Sequence, residues 1–422
     1  MRVKIGKDPL NKGQVRVISS KSDAHRSLIA AALAEEESVL FVDGWSDDLE
    51  ATIRCLEALG AEIYKEPSGI EVVPIRRNLD KAVVLDCGES GSTLRFLLPV
   101  AAALGRHTTF TGQGRLPERP VGILLEELAK HGCSVTGDGL PVEIDGQLES
   151  GVFTLPGNVS SQFITGLLFA LSLLEGDSEI VLTTEVESKG YINMTLKTLK
   201  IFGITVEETE TGWKVPGRQA FVGPRMRFTE GDWSNAAFWL TAGAIKGSVG
   251  CQGLDMESAQ GDRAIVSLLE EFGAETKAVL NQITATNKEM KGIRIDASQI
   301  PDLVPVLCVA GAAAEGKTEI YNAGRLRLKE SDRLAVMAEC LKKIGVEVEE
   351  GEDTIVITGG CNPPVGEVVI DSHGDHRIVM AMAIAAVSLG VDIIIENAEA
   401  VNKSYPSFFI ELKKLGGVVD GI

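Results

Sequence analysis

Several side chains that could bind an anion stand at the start of an apolar run. The stretch ISSKSDAHRSLIAAAL places Lys21, Ser22 and Arg26 at the beginning of a run of small apolar residues. Serine and aspartate favour helix starts, so the stretch predicts a buried helix that begins near Lys21. The free N–H groups and positive dipole end of such a start favour phosphates and carboxylates. The stretch therefore predicts part of an anion site.

A second candidate site is the segment RLRLKESDRL, which holds four cations within nine residues. These are Arg325, Arg327, Lys329 and Arg333, with Glu330 between them. On a helix, Lys329 and Arg333 would share a face, and Glu330 would meet Arg333. Arginine suits bidentate contacts with carboxylates and phosphates, whereas lysine supplies a point charge. The segment is consistent with either a surface helix that carries ion pairs or part of an anion site.

The composition is that of a globular protein with an excess of acidic residues. The chain has 422 residues, 44% of them hydrophobic, and a net charge of −19. That charge disfavours nucleic acid and anionic membranes as partners, so a local cluster of cations is more informative. The apolar runs are shorter than the ~20 residues of a membrane helix, and MRVKIGKDPL at the start is unlike a signal peptide. Seven scattered cysteines favour reduced thiols, so we expect a cytoplasmic protein.

A helix that ends at glycine and is followed by a strand recurs six times, at a spacing of about 70 residues. The glycines, which we predict to be left-handed, are Gly60, Gly132, Gly203, Gly273, Gly345 and Gly416. Six nearly all-apolar stretches with polar starts alternate with these helices, and each predicts a helix buried on all sides. Short β-rich runs, among them VRVI and MRFT, precede the buried helices.

The repeating unit is therefore strand–helix–strand–helix–strand–strand. We predict an α/β fold with mixed sheets and buried helices. Because a single hydrophobic core stops growing near ~250–300 residues, the six units are expected to form two domains of three. The polar starts of the buried helices can then converge and bind phosphates or carboxylates.

Patterns that suggest a nucleotide or a metal are better explained by the repeat. GAAAEGKT (311–318) matches a phosphate-binding loop, but it follows a buried helix and opens a strand, the reverse of the context required. DSHGDHR is explained by a helix start with Asp375 as its N-cap, and no second His-containing cluster completes a metal site. We therefore expect neither a phosphate-binding loop nor a metal site from these patterns.

An ordered set of motifs resembles the 5-enolpyruvylshikimate-3-phosphate synthase family. In chain order the motifs are KSDAHR, GSTLR, ERPVG, VSSQF, SKGY, EGDWSNAAF, IPD, LKESDR, DHR and NKSYP. The resemblance implies transfer of the enolpyruvyl (1-carboxyvinyl) group of phosphoenolpyruvate to the 5-hydroxyl of shikimate 3-phosphate, with release of phosphate. This is a step of the shikimate pathway to chorismate and the aromatic amino acids. The resemblance implies these two small molecules as partners, no cofactor and a monomer.

The resemblance also implies a domain organisation. The family fold has two domains of three βαβαββ units each, of the inside-out α/β barrel type, in agreement with the repeats. The chain of the family crosses twice between its domains. We therefore expect one lobe at residues 20–229 and the other at 1–19 with 230–422, with the active site in the cleft between them.

Carried over to matching positions, the resemblance assigns residues to each substrate. Those expected to bind shikimate 3-phosphate are Lys21, Ser22, Arg26, Ser160, Ser161, Gln162, Ser188, Asp302, Arg325 and Lys329. Those expected to bind phosphoenolpyruvate are Lys21, Gly91, Arg119, Gln162, Arg333, Arg377 and Lys403. Supporting roles are expected for Arg95, Tyr191 and His376. Asp302 is the expected base for the substrate hydroxyl, and Glu330 the acid that protonates carbon 3 of phosphoenolpyruvate.

Two departures from the family pattern and two alternatives accompany this assignment. The chain has Glu89-Ser90-Gly91 and then Phe96 where the family often has Asn-Ala-Gly and a Pro, and Arg325 where many members have Asn. One alternative is the sister enzyme that acts on UDP-N-acetylglucosamine, which usually carries a Cys in the loop that is TGQGRLPERP here. The other is a non-catalytic anion-binding protein, against which the presence of both Asp302 and Glu330 speaks.

Overall fold

A computed structural model of the chain describes residues 1–66, 69–75 and 82–421. Within these ranges the α-helices are α1 Lys21–Ala32, α2 Asp47–Ala58, α3 Gly91–Ala103, α4 Gly122–Lys130, α5 Ser161–Leu171, α6 Lys189–Ile201, α7 Trp233–Ile245, α8 Ile265–Phe272, α9 Val304–Ala313, α10 Arg333–Lys343, α11 His376–Leu389 and α12 Phe408–Lys414. None of the helices in these ranges is long and apolar enough to cross a membrane.

The strands are short, at two to five residues each. In the first half of the chain they are β1 Arg2–Ile5, β2 Gly13–Arg16, β3 Ser38–Phe41, β4 Glu62–Glu66, β5 Gly69–Val73, β6 Val83–Asp86, β7 Thr108–Thr111, β8 Ser134–Thr136, β9 Val142–Asp145, β10 Val152–Leu155, β11 Ser178–Leu182 and β12 Glu207–Glu208. In the second half they are β13 Gly212–Val215, β14 Met226–Phe228, β15 Ser248–Gln252, β16 Glu275–Val279, β17 Gln282–Thr286, β18 Arg294–Asp296, β19 Lys317–Tyr321, β20 Glu347–Glu350, β21 Ile355–Thr358, β22 Val368–Asp371, β23 Ile393–Glu396 and β24 Val419–Asp420.

The chain divides into two compact units. One, here called the split unit, is made of Met1–Ser20 and Glu230–Ile422, and the other, the central unit, is Lys21–Thr229. Each unit contains three four-stranded sheets. The sheets of the central unit are β14-β3-β5-β4, β6-β7-β9-β8 and β10-β11-β13-β12. Those of the split unit are β2-β15-β17-β16, β18-β19-β21-β20 and β22-β23-β1-β24.

The six sheets share one pattern of pairing. Each sheet has one parallel pair, as in β6 with β7, and its remaining strands join antiparallel, as in β7 with β9 and β9 with β8. In four of the six sheets the buried helix between the two parallel strands supplies the crossover connection that a parallel pair needs. The predicted α/β fold with mixed sheets and three repeats in each unit is confirmed, as six separate four-stranded sheets.

Two strands pair outside the repeat in which their sequence position would place them. β2 precedes α1 in the chain but pairs parallel with β15, after α7. β14 precedes α7 but pairs parallel with β3, after α1. This exchange places β2 in a sheet of the split unit and β14 in a sheet of the central unit.

Helices α1, α3 and α5 fill the core of the central unit, and α7, α9 and α11 fill that of the split unit. In α5 every residue except Gln162 is buried. Burial of one such Leu or Phe side chain contributes about 1.5–3 kcal/mol before conformational entropy is counted. Gly166 lets α5 approach α3, because a methyl group there would overlap the Arg95 carbonyl and Pro99. The prediction of helices buried on all sides is confirmed.

The six glycines that end the outer helices all have positive φ angles, between 79° and 108°. These glycines are Gly60, Gly132, Gly203, Gly273, Gly345 and Gly416. An L-residue with a side chain is disfavoured in this conformation, which explains why glycine recurs at these positions. The prediction of left-handed helix ends is confirmed.

Candidate active site

Lys21 is the first residue of α1, and its ammonium is held by an acidic partner. Lys21 Nζ donates to Asp48 Oδ2 at 2.6 Å, and both side chains are largely buried. Asp48 lies in the first turn of α2, whose N-cap is Ser46. The sequence assigned no role to Asp48, because Lys21 and Asp48 come together only when α1 and α2 pack.

Arg26 is buried and connects α1 to α6. Its Nε donates to Thr195 Oγ1 at 2.8 Å, and Nη2 donates to the Tyr191 carbonyl at 2.9 Å. Nη1 donates to the carbonyl of Ser22, one turn earlier, at 2.7 Å. Burial lowers the pKa of Arg26 to about 10, so the group stays charged at neutral pH. Arg26 thus brings Ser22 and Tyr191, two of the predicted residues, close together.

The predicted phosphate-binding serines lie at the starts of two helices. Ser160 is the N-cap of α5, and its Oγ accepts from the Gln162 N–H at 3.3 Å. Ser161 begins the same helix. Ser188 precedes α6 with a left-handed backbone, φ 56°, and its hydroxyl does not cap that helix. Two helix N-termini with serine hydroxyls favour binding of a phosphate.

The Gln162 side chain is oriented by two partners. Its Oε1 accepts from Arg95 Nη1 at 2.8 Å, and its Nε2 donates to Ser92 Oγ at 2.9 Å. Arg95 Nη2 also donates to the Pro120 carbonyl, at 3.0 Å, next to the predicted phosphoenolpyruvate ligand Arg119. Arg95 therefore contacts both the Gln162 side chain and the backbone next to Arg119. Ser92, the second partner of Gln162, was not predicted from the sequence.

Gly91 and Arg119 are in close contact. An added methyl group at Gly91 would lie 2.7 Å from Arg119 Nη1 and 2.8 Å from its Cζ. Gly91 begins α3, and the N-cap Ser90 accepts from the Thr93 N–H at 3.2 Å. The guanidinium thus lies directly over a helix N-terminus, where two positive groups can bind one anion.

A chain of buried polar side chains links α1 and α2 to the first turn of α3. His25 Nδ1 lies 2.7 Å from Thr52 Oγ1, which lies 2.6 Å from Thr93 Oγ1. Thr93 Oγ1 in turn donates to Ser90 Oγ at 2.8 Å. Burial, with Lys21 and Arg26 nearby, lowers the pKa of His25 well below its usual value, so His25 is neutral at pH 7. These contacts fix the three helices relative to one another.

In the split unit, Asp302 is surrounded by cations. It lies in the 3₁₀ turn Pro301–Leu303, directly before α9. Its Oδ1 lies 2.9 Å from Arg333 Nη1 and 3.5 Å from Lys329 Nζ, and its Oδ2 lies 3.1 Å from Arg377 Nη2. Arg377 Nη1 also donates to the Asp302 carbonyl at 3.1 Å. Positive charge on three sides stabilises the ionised carboxylate.

Arg333, the first residue of α10, joins both predicted catalytic carboxylates. Besides Asp302, its Nη2 lies 2.7 Å from Glu330 Oε2, and its Nε lies 2.7 Å from Asp375 Oδ2. Burial lowers the pKa of Arg333, but the charges of Asp375, Glu330 and Asp302 outweigh burial and raise it. Arg333 therefore remains charged and holds Glu330 close to Asp302.

Asp375 is the predicted N-cap of α11, and this prediction is confirmed. Its side chain accepts from the Arg377 N–H at 2.9 Å. It also accepts from Ser331 Oγ at 3.0 Å and pairs with Arg333, contacts that the sequence did not reveal. His376 is buried beside it, with Nδ1 4.0 Å from Asp375 Oδ1. Lys403 is near the same helix start, since its Nζ donates to the Gly374 carbonyl at 2.7 Å.

The segment RLRLKESDRL is not one helix. Gly324–Leu328 form a 3₁₀ turn, Lys329 is extended, and α10 begins only at Arg333. The interpretation that placed Lys329 and Arg333 on one helix face is wrong, because Asp332 caps α10 by accepting from the Ala335 N–H at 3.0 Å. Both side chains nevertheless converge on Asp302 from their separate positions.

Lys329 and Arg325 lie within electrostatic range of each other. Burial lowers the pKa of Lys329 to about 8; Asp302 opposes this shift, and Arg333 and Arg325 add to it. Arg327, between them in sequence, lies 2.9 Å from both Asp332 and Glu350. Lys329 and Arg333 thus contact Asp302, whereas Arg327 pairs with Asp332 and Glu350. Among the described residues, no group of three or more His, Cys, Asp or Glu side chains could hold a metal ion.

A family model of EPSP synthase, 3-phosphoshikimate 1-carboxyvinyltransferase, matches residues 6–412 of the chain. The chain belongs to the EPSP synthase family. A 3-phosphoshikimate 1-carboxyvinyltransferase of Clostridium novyi is 42% identical, over 99% of this chain and 98% of the relative. The 3-phosphoshikimate 1-carboxyvinyltransferase of Clostridium acetobutylicum is 43% identical, over 97% of this chain and 96% of the relative.

Solved structures agree with this membership. EPSP synthase from Acinetobacter baumannii superposes with a TM-score of 0.82 over all of both chains, at 26% identity. The enolpyruvyl transferase NikO from Streptomyces tendae has a TM-score of 0.81, over 99% of this chain and 98% of that one. At 18% identity, this second likeness concerns the fold alone.

Proposed function

We propose that the chain carries out its family's reaction with the two sets of residues described above, one in each unit. The reaction transfers the enolpyruvyl group of phosphoenolpyruvate to the 5-hydroxyl of shikimate 3-phosphate and releases phosphate. It belongs to the shikimate pathway of aromatic amino acid biosynthesis. The observation that carries the proposal is the convergence of Asp302, Glu330, Arg333 and Arg377 in one network of ion pairs.

The central-unit set supplies the groups that bind phosphates. Ser160, Ser161 and Ser188, at two helix starts, hold the phosphate of shikimate 3-phosphate, together with Lys21 and Arg26. Ser22 adds a polar group beside Arg26, and the Tyr191 carbonyl accepts a hydrogen bond from the Arg26 guanidinium. Arg119 over the α3 start, with Gly91, binds phosphoenolpyruvate, and Gln162 lies between the substrates. The amide orientation set by Arg95 and Ser92 prepares Gln162 for this role.

The split-unit set supplies the reacting groups. Asp302, ionised among its three cations, accepts the proton of the 5-hydroxyl as the oxygen attacks carbon 2 of phosphoenolpyruvate. Lys329 and Arg325 contact the shikimate ring. Arg333, Arg377 and Lys403 bind the phosphoenolpyruvate anion, whose negative charges would otherwise repel those of shikimate 3-phosphate.

Glu330 supplies the proton that makes carbon 2 electrophilic. It gives that proton to carbon 3, and the addition yields a tetrahedral intermediate. Elimination then returns a proton from carbon 3 to Glu330 and breaks the bond between carbon 2 and the phosphate oxygen. The phosphate leaves with the proton that Asp302 took from the 5-hydroxyl. Because Arg333 Nη2 holds Glu330 Oε2 at 2.7 Å, the carboxyl group is fixed in place for both steps. His376, beside Asp375, is close enough to this network to tune it.

Phosphate release tests this proposal directly. With phosphoenolpyruvate and shikimate 3-phosphate both present, we expect stoichiometric phosphate, and with either one omitted, none. UDP-N-acetylglucosamine in place of shikimate 3-phosphate should give none. Release with the nucleotide sugar would favour the sister reaction, and binding of both substrates without release would favour an anion-binding protein.

A further inference from the structure

Arg227 is a buried cation that has no part in the chemistry proposed above. It lies in β14, and its side chain is 8% exposed. Its Nη2 donates to Asp23 Oδ1 at 2.5 Å, and its Nε donates to Ser27 Oγ at 2.7 Å. Ser27 Oγ in turn donates to the Asp23 carbonyl at 2.8 Å. One guanidinium therefore holds the Asp23 side chain directly and its carbonyl through Ser27.

Asp23 lies in the first turn of α1, among residues that we assign to shikimate 3-phosphate. Ser22 precedes it, and Arg26 follows three residues later, the spacing at which two side chains of a helix can meet. The Asp23 side chain is 7% exposed. An acidic residue in the first turn stabilises a helix, but its negative charge opposes the binding of a phosphate at the same helix start. A phosphate site here therefore requires a cation that neutralises Asp23.

Other elements of the central unit also hold the start of α1. Lys21 pairs with Asp48 of α2 at 2.6 Å, and Arg26 donates to a backbone carbonyl of α6 at 2.9 Å. In both contacts the cation belongs to α1 and is itself expected to bind substrate. At Asp23 the arrangement is reversed, since the acid belongs to α1 and the cation comes from β14. Arg227 is thus placed to neutralise the helix start without being a substrate ligand.

Along the chain, the ion pair is close to both boundaries of the central unit. That unit begins at Lys21 and ends one residue after β14. Just before Lys21, in the split unit, the Ser20 N–H donates to the Glu230 carbonyl at 2.7 Å. Lys21 and Ser22 therefore lie between one cross-link at Ser20 and another at Asp23. Two anchored neighbours reduce the conformational freedom that these candidate ligands would lose when a substrate binds.

We propose that Arg227 is a positioning residue for shikimate 3-phosphate that acts through Asp23. The proposal rests on the proposed function, since it takes Ser22 and Arg26 as ligands of that substrate. With Arg227 in place, Asp23 has a cation of its own, and Arg26 keeps its charge for the substrate. Without Arg227, the buried Asp23 carboxylate would compete with the substrate phosphate for Arg26.

The test measures the dissociation constant of shikimate 3-phosphate by calorimetry, well below the melting temperature of each protein. Arg227→Met removes the charge and the hydrogen bonds but keeps an unbranched side chain. We expect it to weaken binding roughly ten- to hundredfold, the scale of one carboxylate left without its charged partner. Combining it with Asp23→Asn removes the competing charge, so the double variant should bind at least about fivefold more tightly than Arg227→Met.

This recovery distinguishes a competing carboxylate from a general loss of structure, in which a second substitution would not restore the affinity for substrate. At saturating shikimate 3-phosphate, kcat should stay within a few-fold of wild type in both variants. Arg225→Met removes an exposed charge two residues earlier and should bind the substrate as the wild type does. Unchanged binding in Arg227→Met, or no recovery in the double variant, would overturn the inference.

Arg227→Lys keeps the test decisive if Arg227→Met does not fold. A lysine retains the charge but lacks the planar fork that reaches both Asp23 and Ser27. We expect roughly two- to fivefold weaker binding of shikimate 3-phosphate, which adding Asp23→Asn should remove. A loss that persists in that double variant would overturn the inference.

The outcome for the wild type separates this inference from the proposed function. Because the test measures binding, a wild type that binds shikimate 3-phosphate but releases no phosphate would overturn the proposed function alone. A wild type that does not bind shikimate 3-phosphate would overturn both.

Discussion

One guanidinium, that of Arg333, organises the residues to which we assign the chemistry. It contacts Asp302, Glu330 and Asp375 at 2.7–2.9 Å and is almost completely buried. Three carboxylates around one arginine would be unfavourable without further positive charge, which Lys329 and Arg377 provide at Asp302. Arg333 therefore holds both the assigned base, Asp302, and the assigned acid, Glu330. Asp302 has Lys329 and Arg377 as further partners.

Replacement of either carboxyl group by its amide tests the assigned roles. Asp302→Asn and Glu330→Gln should retain binding of shikimate 3-phosphate while turnover decreases roughly 100- to 10,000-fold, because a positioned acid or base contributes about that much. Calorimetric titration and phosphate release measure the two quantities. Asp353→Asn serves as the control for the loss of one acidic charge. Turnover within a few-fold of wild type in either amide variant would remove the role of that residue.

The lowered pKa of Lys329 predicts a loss of activity at alkaline pH. Because burial lowers its pKa to about 8, the ammonium loses its proton, and with it its contact with substrate, as pH rises through 8. Above that pH, kcat/KM for shikimate 3-phosphate should decrease about tenfold per pH unit in the wild type. Lys329→Arg, which stays charged, should show no such decrease. Lys317→Arg, at an exposed strand position, should behave as the wild type, and parallel profiles for all three proteins would contradict the assignment.

Helix starts carry many of the residues assigned to the site. Lys21, Gly91 and Ser161 begin α1, α3 and α5, and Arg333 begins α10. Arg377 lies in the first turn of α11. The N–H groups of a first turn have no partner within the helix, so they are available to anions. The bodies of the buried helices thus form the core, and we propose that their starts bind the substrates.

The contact between the α3 start and Arg119 can be tested by adding a single methyl group. In Gly91→Ala that methyl would lie 2.7 Å from the guanidinium, so Arg119 must move. We expect the KM for phosphoenolpyruvate to rise roughly tenfold, the scale of one weakened charge-assisted hydrogen bond. Gly122→Ala is the matched control, because the same methyl at the start of α4 meets open space. An unchanged KM in Gly91→Ala would show that Arg119 does not bind this substrate.

Local patterns were sufficient to predict some elements and not others. The glycine helix ends and the Asp375 cap depend on the backbone conformation and hydrogen bonds of their immediate neighbours, and both could be predicted. The start of α10 could not be predicted in this way. The charge spacing of residues 329–333 is compatible with a helix, but Asp332 is the N-cap, so α10 begins only at Arg333. Local patterns were equally insufficient for the partners of β2 and β14, since Gly13 pairs with Val249 and Val39 pairs with Met226, far apart in the chain.

At the scale of the whole molecule, the repeat explains why residues assigned to the site recur at helix starts in both units. Each unit stacks three copies of one strand–helix pattern, and every copy adds a polar helix start. The sequence predicted this architecture, and its resemblance to a family assigned the candidate site residues, whose roles stay predictions. It could not reveal the contacts of Asp48 and Ser92, because their partners come near only when the helices pack.

The measurement that tests the central claim most directly follows a labelled carbon. Phosphoenolpyruvate labelled with ¹³C at carbon 2 is incubated with shikimate 3-phosphate and the protein in ²H₂O, and the products are followed by NMR. We predict that the label appears in an enol ether of shikimate 3-phosphate, with deuterium at the neighbouring methylene carbon in the wild type and neither signal in Glu330→Gln. Label that remains in phosphoenolpyruvate, or that appears only in pyruvate, would contradict enolpyruvyl transfer by this protein.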